Sequence, residues 1–332
     1  MKKFYRFSMY SLIISISLSI AVCVLPTRPE YVSVEKKDFI RWVDFNVTYE
    51  ALSDCLEYDV ATYGTEKHTS WIKLLAYLAS SGSGKFDTYK KSTLNKVTNE
   101  IKNGKTIEEL SNKLTYYPYY LEAYEAVLGG FVGEYEIEKD DGTFEKKYGL
   151  KAFSPIAKGY SYSHFDDFGA SRSYGFKRKH LGHDMMGSVG TPIIAIESGY
   201  VECVGWNQYG GWRIGIRSFD KKRYYYYAHL RKDHPFNDMY EGKIITAGDV
   251  IGYLGMTGYS TKENVNNINT PHLHWGMQLI FDESQKEANS EIWIDIYAIT
   301  KLLERNKSAV VRNEEEKEYE RIYEMFEKGM EK

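Results

Sequence analysis

The sequence predicts an α+β multidomain protein: an N-terminal membrane anchor, a small all-α domain, an antiparallel β-sandwich domain and a charged C-terminal helix. Three observations carry this. Lys2, Lys3 and Arg6 precede an uncharged apolar run from Ser8 to Leu25. Residues 36–132 space their apolar side chains as amphipathic helices do. Residues 149–300 instead hold strand-sized segments broken by glycine, with no long helix before IWIDIYAITKLLERN.

The first element, residues 1–30, is expected to be a signal anchor. Its apolar run of about eighteen residues lies near the lower limit for a membrane span. Cationic residues ahead of it place the N-terminus in the cytoplasm and the remainder outside. A cleaved signal peptide has the same order of charge and apolarity and would release a secreted protein. Ala21-Val22-Cys23 is a poor cleavage site, and Val22 is a poor residue before a lipidated cysteine, so an uncleaved anchor is favoured. Cys55 and Cys203, the other two thiols, suggest no disulfide framework.

In the helical region, Thr106 before IEEL can cap a helix. Ser80-Ser81-Gly82-Ser83-Gly84 predicts a linker or a turn, and Gly129-Gly130 stops the helix of YYPYYLEAYEAVL. This domain is either a spacer or a module for a regulatory protein partner. EIEKDDGTFEKKYGL predicts a hairpin or a linker, with Asp140-Asp141-Gly142 as its turn. The tail, residues 301–332, is expected to be a charged helix with an apolar stripe of Ile322, Met325, Phe326 and Met330. The net charge of −3 gives no nucleic-acid signature. Thirty tyrosines most simply serve half-buried strands, although aromatic faces also stack on sugars.

The chemistry is concentrated in HLGHD, YYYYAHL and PHLHWGMQL, which hold His180, Asp184, His229, His272 and His274. Four of the eight histidines fall in this set. On a strand, His272 and His274 share one face while Leu273 and Trp275 face a core. One imidazole can then bind a metal while its neighbour reaches a water beside it. His180 and Asp184 form a second pair about a glycine. Imidazole and carboxylate donors with imidazoles to spare have the chemistry of a catalytic zinc site.

These motifs resemble the lysostaphin/LytM family of zinc metalloendopeptidases, which cut peptidoglycan peptides. SVGTPIIAIESGYV, Tyr209-Gly210-Gly211 with WRIGIRS, and EGKIITAGDVIGYLGMTGYST are similar to the family's glycine framework. The resemblance covers roughly residues 149–300. It implies a duplicated-hybrid-motif fold, zinc held by His180, Asp184 and His274, and an unligated catalytic pair, His229 and His272. It leaves open which of that pair is the base. The function it implies is a membrane-anchored, extracytoplasmic endopeptidase acting on peptidoglycan peptides. The alternative is a silent or autoinhibited scaffold that uses the same cleft to bind wall peptide or a protein partner. Relatives that serve as scaffolds usually lose a site histidine, and this chain keeps all of them.

Other residues are expected to be subordinate. His183 departs from the family pattern and on a strand should face away from His180 and Asp184, beside the site or at the surface; it is a rival ligand if the segment is not extended. His234, in KDHPF, reads as a solvated turn residue. The KENVNNIN loop should lie beside the cleft.

Overall fold

In a computed structural model, residues 39–174, 176–286 and 290–327 are described, with the side chains of 174 and 176 excepted. The anchor expected at residues 1–30 lies outside them. Among the described residues no helix is long and apolar enough to cross a membrane.

Five helices open the fold: α1 (Tyr49–Thr62), α2 (Trp71–Ser81), α3 (Lys91–Lys102), α4 (Ile107–Ser111) and α5 (Tyr117–Leu128). Their ends follow local chemistry. Thr48 and Ser70 cap α1 and α2, and Thr106 with Glu109 closes a reciprocal capping box on α4. Gly82 ends α2, and Gly84 follows with φ 76°. Helix α5 ends at Gly129, as its sequence predicts.

The hairpin β1 (Val132–Glu138) and β2 (Phe144–Leu150) follows, with Gly142 at φ 75° in its turn. Then come β3 (Ser163–His164), β4 (Ser171–Tyr174), β5 (Phe176–Lys179), β6 (His183–Met186), β7 (Pro192–Ile194), β8 (Gly199–Asn207), β9 (Gly211–Ser218), β10 (Arg223–Ala228), β11 (Ile244–Ile245), β12 (Val250–Tyr253), β13 (His272–Leu279) and β14 (Ile292–Trp293). The main antiparallel sheet runs β11-β8-β9-β10-β13-β6-β3, with β14 also on β13, and β7 pairs with β12.

Alternation sets the two faces of this sheet. On β13, Leu273, Trp275, Met277 and Leu279 are wholly buried. They join one apolar cluster with Trp71, Leu74 and Tyr124 of the helices, so helices and sheet share a core. The expected boundary between helical and β regions falls at the β1–β2 hairpin, inside one compact unit, Phe39–Lys332. Asp59 of α1, fully buried, accepts from the Trp71 N–H, the Tyr148 hydroxyl of β2 and His68, each at 2.8 Å. It thereby fixes two helices and the hairpin together.

The tail corrects the sequence expectation. The described residues of the tail, 301–327, do not form a charged helix. Helix α6 (Tyr297–Leu303) ends early, and β15 (Val310–Arg312), β16 (Tyr319–Arg321) and β17 (Met325–Glu327) follow. Strand β17 adds to β1 with Met325 opposite Ile137. Arg321 meets Asp249 at 3.0 Å, Glu327 meets Lys151, and Glu318 meets Tyr253. Met325 is buried whereas Ile322 is exposed, so the expected stripe does not form; Met330 lies outside the described residues. Helical i,i+4 ion pairs contribute only about 0.2–0.5 kcal/mol each. Burial of Met325 and long-range pairing outweigh them.

Candidate active site

The open face of the sheet carries the site. Strand β13 pairs with β6 so that His274 lies opposite Asp184 and Trp275 opposite His183. His180 arrives from the turn before β6. Gly182 allows that turn, because a Cβ there would lie 2.6 Å from His274 Cε1. Three donor atoms converge: His180 Nε2 is 3.0 Å from Asp184 Oδ1 and 2.9 Å from His274 Nδ1, which is 2.8 Å from the same carboxylate oxygen. Among the described residues, this is the group of donors placed to hold a metal ion.

The donor set fits zinc in chemistry. Two imidazoles and a carboxylate are ordinary ligands that leave a position open. Burial alone would raise the Asp184 carboxyl, but hydrogen bonds from His180 and His274 hold it well below the usual carboxylate range. Burial lowers His274, outweighing the pull of Asp184, and so favours the neutral ring that a metal requires. The far nitrogen of His180, Nδ1, donates to the Asp167 main-chain carbonyl at 3.1 Å, which aims Nε2 at the centre. Arg172 donates to Asp167 at 2.6 Å and to Asp184 Oδ2 at 3.3 Å.

The remaining two histidines stand beside these donors. His229 and His272 have ring centroids 4.7 Å apart, and His272 Nε2 is 3.8 Å from Asp184 Oδ1. His272 Nδ1 donates to the Thr270 carbonyl at 2.8 Å, and His229 Nδ1 to the Thr257 carbonyl at 2.9 Å. Both rings therefore keep Nε2 as a free base. His229 sits at φ 62°, a strained conformation for a residue with a side chain. Burial, then His272 and His274, push its pKa well below the ordinary value.

The structure thus gathers His180, Asp184, His229, His272 and His274 in one cleft of about 700 Å³. His183 faces away from Asp184, as expected from alternation. It is buried, not at the surface, and its Nε2 lies 2.7 Å from His164 Nδ1. Burial, then His164, lowers it to about 3. His234 lies in the exposed turn and meets Glu318. The KENVNNIN loop touches the cleft through Asn267, which donates to the Tyr259 carbonyl at 2.6 Å. Alternation also divides the tyrosine run: Tyr225 and Tyr227 enter the core, while Tyr224 and Tyr226 line the cleft.

Sequence reasoning missed Asp167 and Arg172. Asp167 lies thirteen residues before His180 in HFDDFG, outside any of the metal motifs, and only chain reversal brings it under the imidazole.

Comparison with known proteins agrees with this geometry. The model of peptidase family M23 matches residues 178–288. The L-Ala–D-Glu endopeptidase of Bacillus subtilis (strain 168) is 39% identical over 123 residues, 37% of this chain and 36% of that protein. The glycyl-glycine endopeptidase ALE-1 of Staphylococcus capitis is 40% identical over 97 residues, 29% of this chain and 24% of that protein. The matched stretches thus span about a third or less of these relatives. A crystal structure from Ruminococcus gnavus ATCC 29149, of a chain named for a LytM glycyl-glycine endopeptidase, superposes with TM-score 0.55 at 21% identity. It covers 81% of this chain and 92% of that one, and shows a shared fold of helical region and antiparallel sheet. With the five motif residues in one cleft and the family model matched across them, residues 178–288 form a peptidase family M23 domain, homologous over the matched stretch to the L-Ala–D-Glu endopeptidase and to lysostaphin.

Proposed function

We propose that this chain is a zinc metalloendopeptidase that hydrolyses peptide bonds of peptidoglycan, working outside the cytoplasmic membrane on an N-terminal anchor. The observation that carries the reading is the convergence of His180 Nε2, Asp184 Oδ1 and His274 Nδ1 beside two further histidines. The two relatives act, by their names, on L-Ala–D-Glu and glycyl-glycine bonds. The order of cationic residues and apolar run in residues 1–25 supports the placement.

His180, Asp184 and His274 would hold the metal. Zinc there supplies Lewis-acid polarisation and a nucleophile at neutral pH. The protein's own groups handle the protons. As water attacks the peptide carbonyl, Nε2 of His229 or His272 takes its proton. That proton passes to the amine nitrogen as the C–N bond breaks. Until that transfer, the charged ring would also stabilise the developing oxyanion. The Thr257 and Thr270 carbonyls keep both rings in the required tautomer.

The scaffold reading finds less support. All five side chains are present, and none of residues 39–132 lines the cleft, so the helices do not plug it. The test is digestion of purified peptidoglycan by metal-stripped and zinc-restored protein, with mass spectrometry of the fragments. Zinc-dependent release of new amine ends supports the peptidase. Zinc-loaded, folded protein that releases none refutes it.

A further inference from the structure

The cleft carries positive charge that the carboxylates among the described residues leave unanswered. Arg213 of β9 precedes Ile214, which pairs with Tyr227, and the next residue of β10, Ala228, pairs with His274. The register therefore sets Arg213 two strands from His274 on the same face. At the usual strand spacing this is about 10 Å. The guanidinium is half-buried. Its Nη1 donates to Cys203 Sγ at 2.8 Å, and its Nε is buried without a hydrogen-bond partner.

The neighbouring charges are already engaged. Arg172 is held by Asp167 and Asp184. Glu202 meets Arg217 at 3.3 Å and Lys286, and Glu291 accepts from Trp293 Nε1 at 2.8 Å. Arg178, at the rim, lies 5.2 Å from the ring centroids of both Tyr209 and Tyr259 and donates to the Tyr259 hydroxyl at 2.8 Å. Neither Arg213 nor Arg178 has a carboxylate partner among the described residues. A half-buried cation without a counter-charge opposes folding unless an anion arrives to meet it. The planar guanidinium fork matches a carboxylate with two parallel hydrogen bonds.

We infer that Arg213, assisted by Arg178, forms a carboxylate-binding subsite that selects acidic peptides over neutral ones. An extended peptide advances about 3.3–3.6 Å per residue, so the recognised carboxylate lies within about three residues of the cleaved bond. The inference rests on the peptidase reading and specifies its substrate class.

The test compares native peptidoglycan with the same material after its carboxyl groups are converted to carboxamides. The zinc-loaded full chain is assayed for both fragment release and co-sedimentation. Wild type is expected to favour the native form by about 10–100-fold, the worth of a charge-assisted pair. Arg213→Gln should reduce that preference to less than about 3-fold, Arg213→Lys should keep part of it, and zinc content should not change. Arg178→Gln serves as the second variant if Arg213→Gln melts early. Equal release and binding on both forms by wild type, or a full preference surviving in both glutamine variants, overturns the subsite. If neither form is cleaved, the peptidase reading fails, and co-sedimentation alone decides the subsite by the same criteria.

Discussion

The two faces of the main sheet use the same strands for opposite purposes. On the covered face, Arg223 of β10 is buried but fully answered. It donates to Glu197 at 2.8 and 3.0 Å, to Asp220 at 2.8 Å, and to the Ala126 carbonyl of α5 at 2.8 Å. Gly130 is required here, since a Cβ would lie 1.6 Å from Glu197 Oε1. Each of these charged groups has a partner, and the result locks helices to sheet. On the open face, one or two residues away along each strand, polar groups converge on the cleft. His180, Asp184 and His274 crowd their donor atoms together, and Arg213 meets no carboxylate among the described residues. Satisfied buried charge holds the fold; unsatisfied charge marks where something else binds.

The comparison breaks if substitutions on the two faces have interchangeable effects. The largest separation is expected from Asp184→Ala. Peptide release should fall to background and zinc should be lost, while the circular dichroism spectrum stays that of the folded chain. His272→Ala comes next, with kcat/KM falling about 10²–10⁴-fold at full zinc content. Metal loss in that variant would move His272 into the ligand set. Arg223→Met tests the other face. Leaving Glu197 buried without its partner should cost about 3–5 kcal/mol in denaturant unfolding, with zinc affinity unaltered. The smallest effect is expected from Asp167→Asn, which keeps the main-chain carbonyl but weakens the carboxylate behind His180. Zinc affinity should fall about 10–100-fold in a metal-competition titration, with little change in melting temperature.

The facing of His272 and His274 was legible because they lie on a strand, where period 2 fixes it, whereas the joining of His180, Asp184 and His229 to them was implied only by the family resemblance. His272 and His274 share a face for that reason alone, and the same rule turned His183 inward. The caps at Thr106 and the stop at Gly129-Gly130 were equally local. The tail was not legible. Its Glu–Lys pattern is what an exposed helix shows, and the partners that make it strands, Ile137, Asp249, Tyr253 and Lys151, are distant in sequence. Asp167 escaped for the same reason. Arg213 lies inside WRIGIRS, which stands out in the sequence only for its glycine framework, and its place on the cleft face, beside the Ile214–Tyr227 pair, emerges only from the register of β9 and β10.

The central claim is that three side chains hold one zinc ion. Native mass spectrometry of wild type and Asp184→Ala, each stripped of metal and re-exposed to zinc, addresses it most directly. The account predicts one zinc per wild-type chain and none on the variant. No zinc on folded wild type, or equal zinc on both, would contradict it.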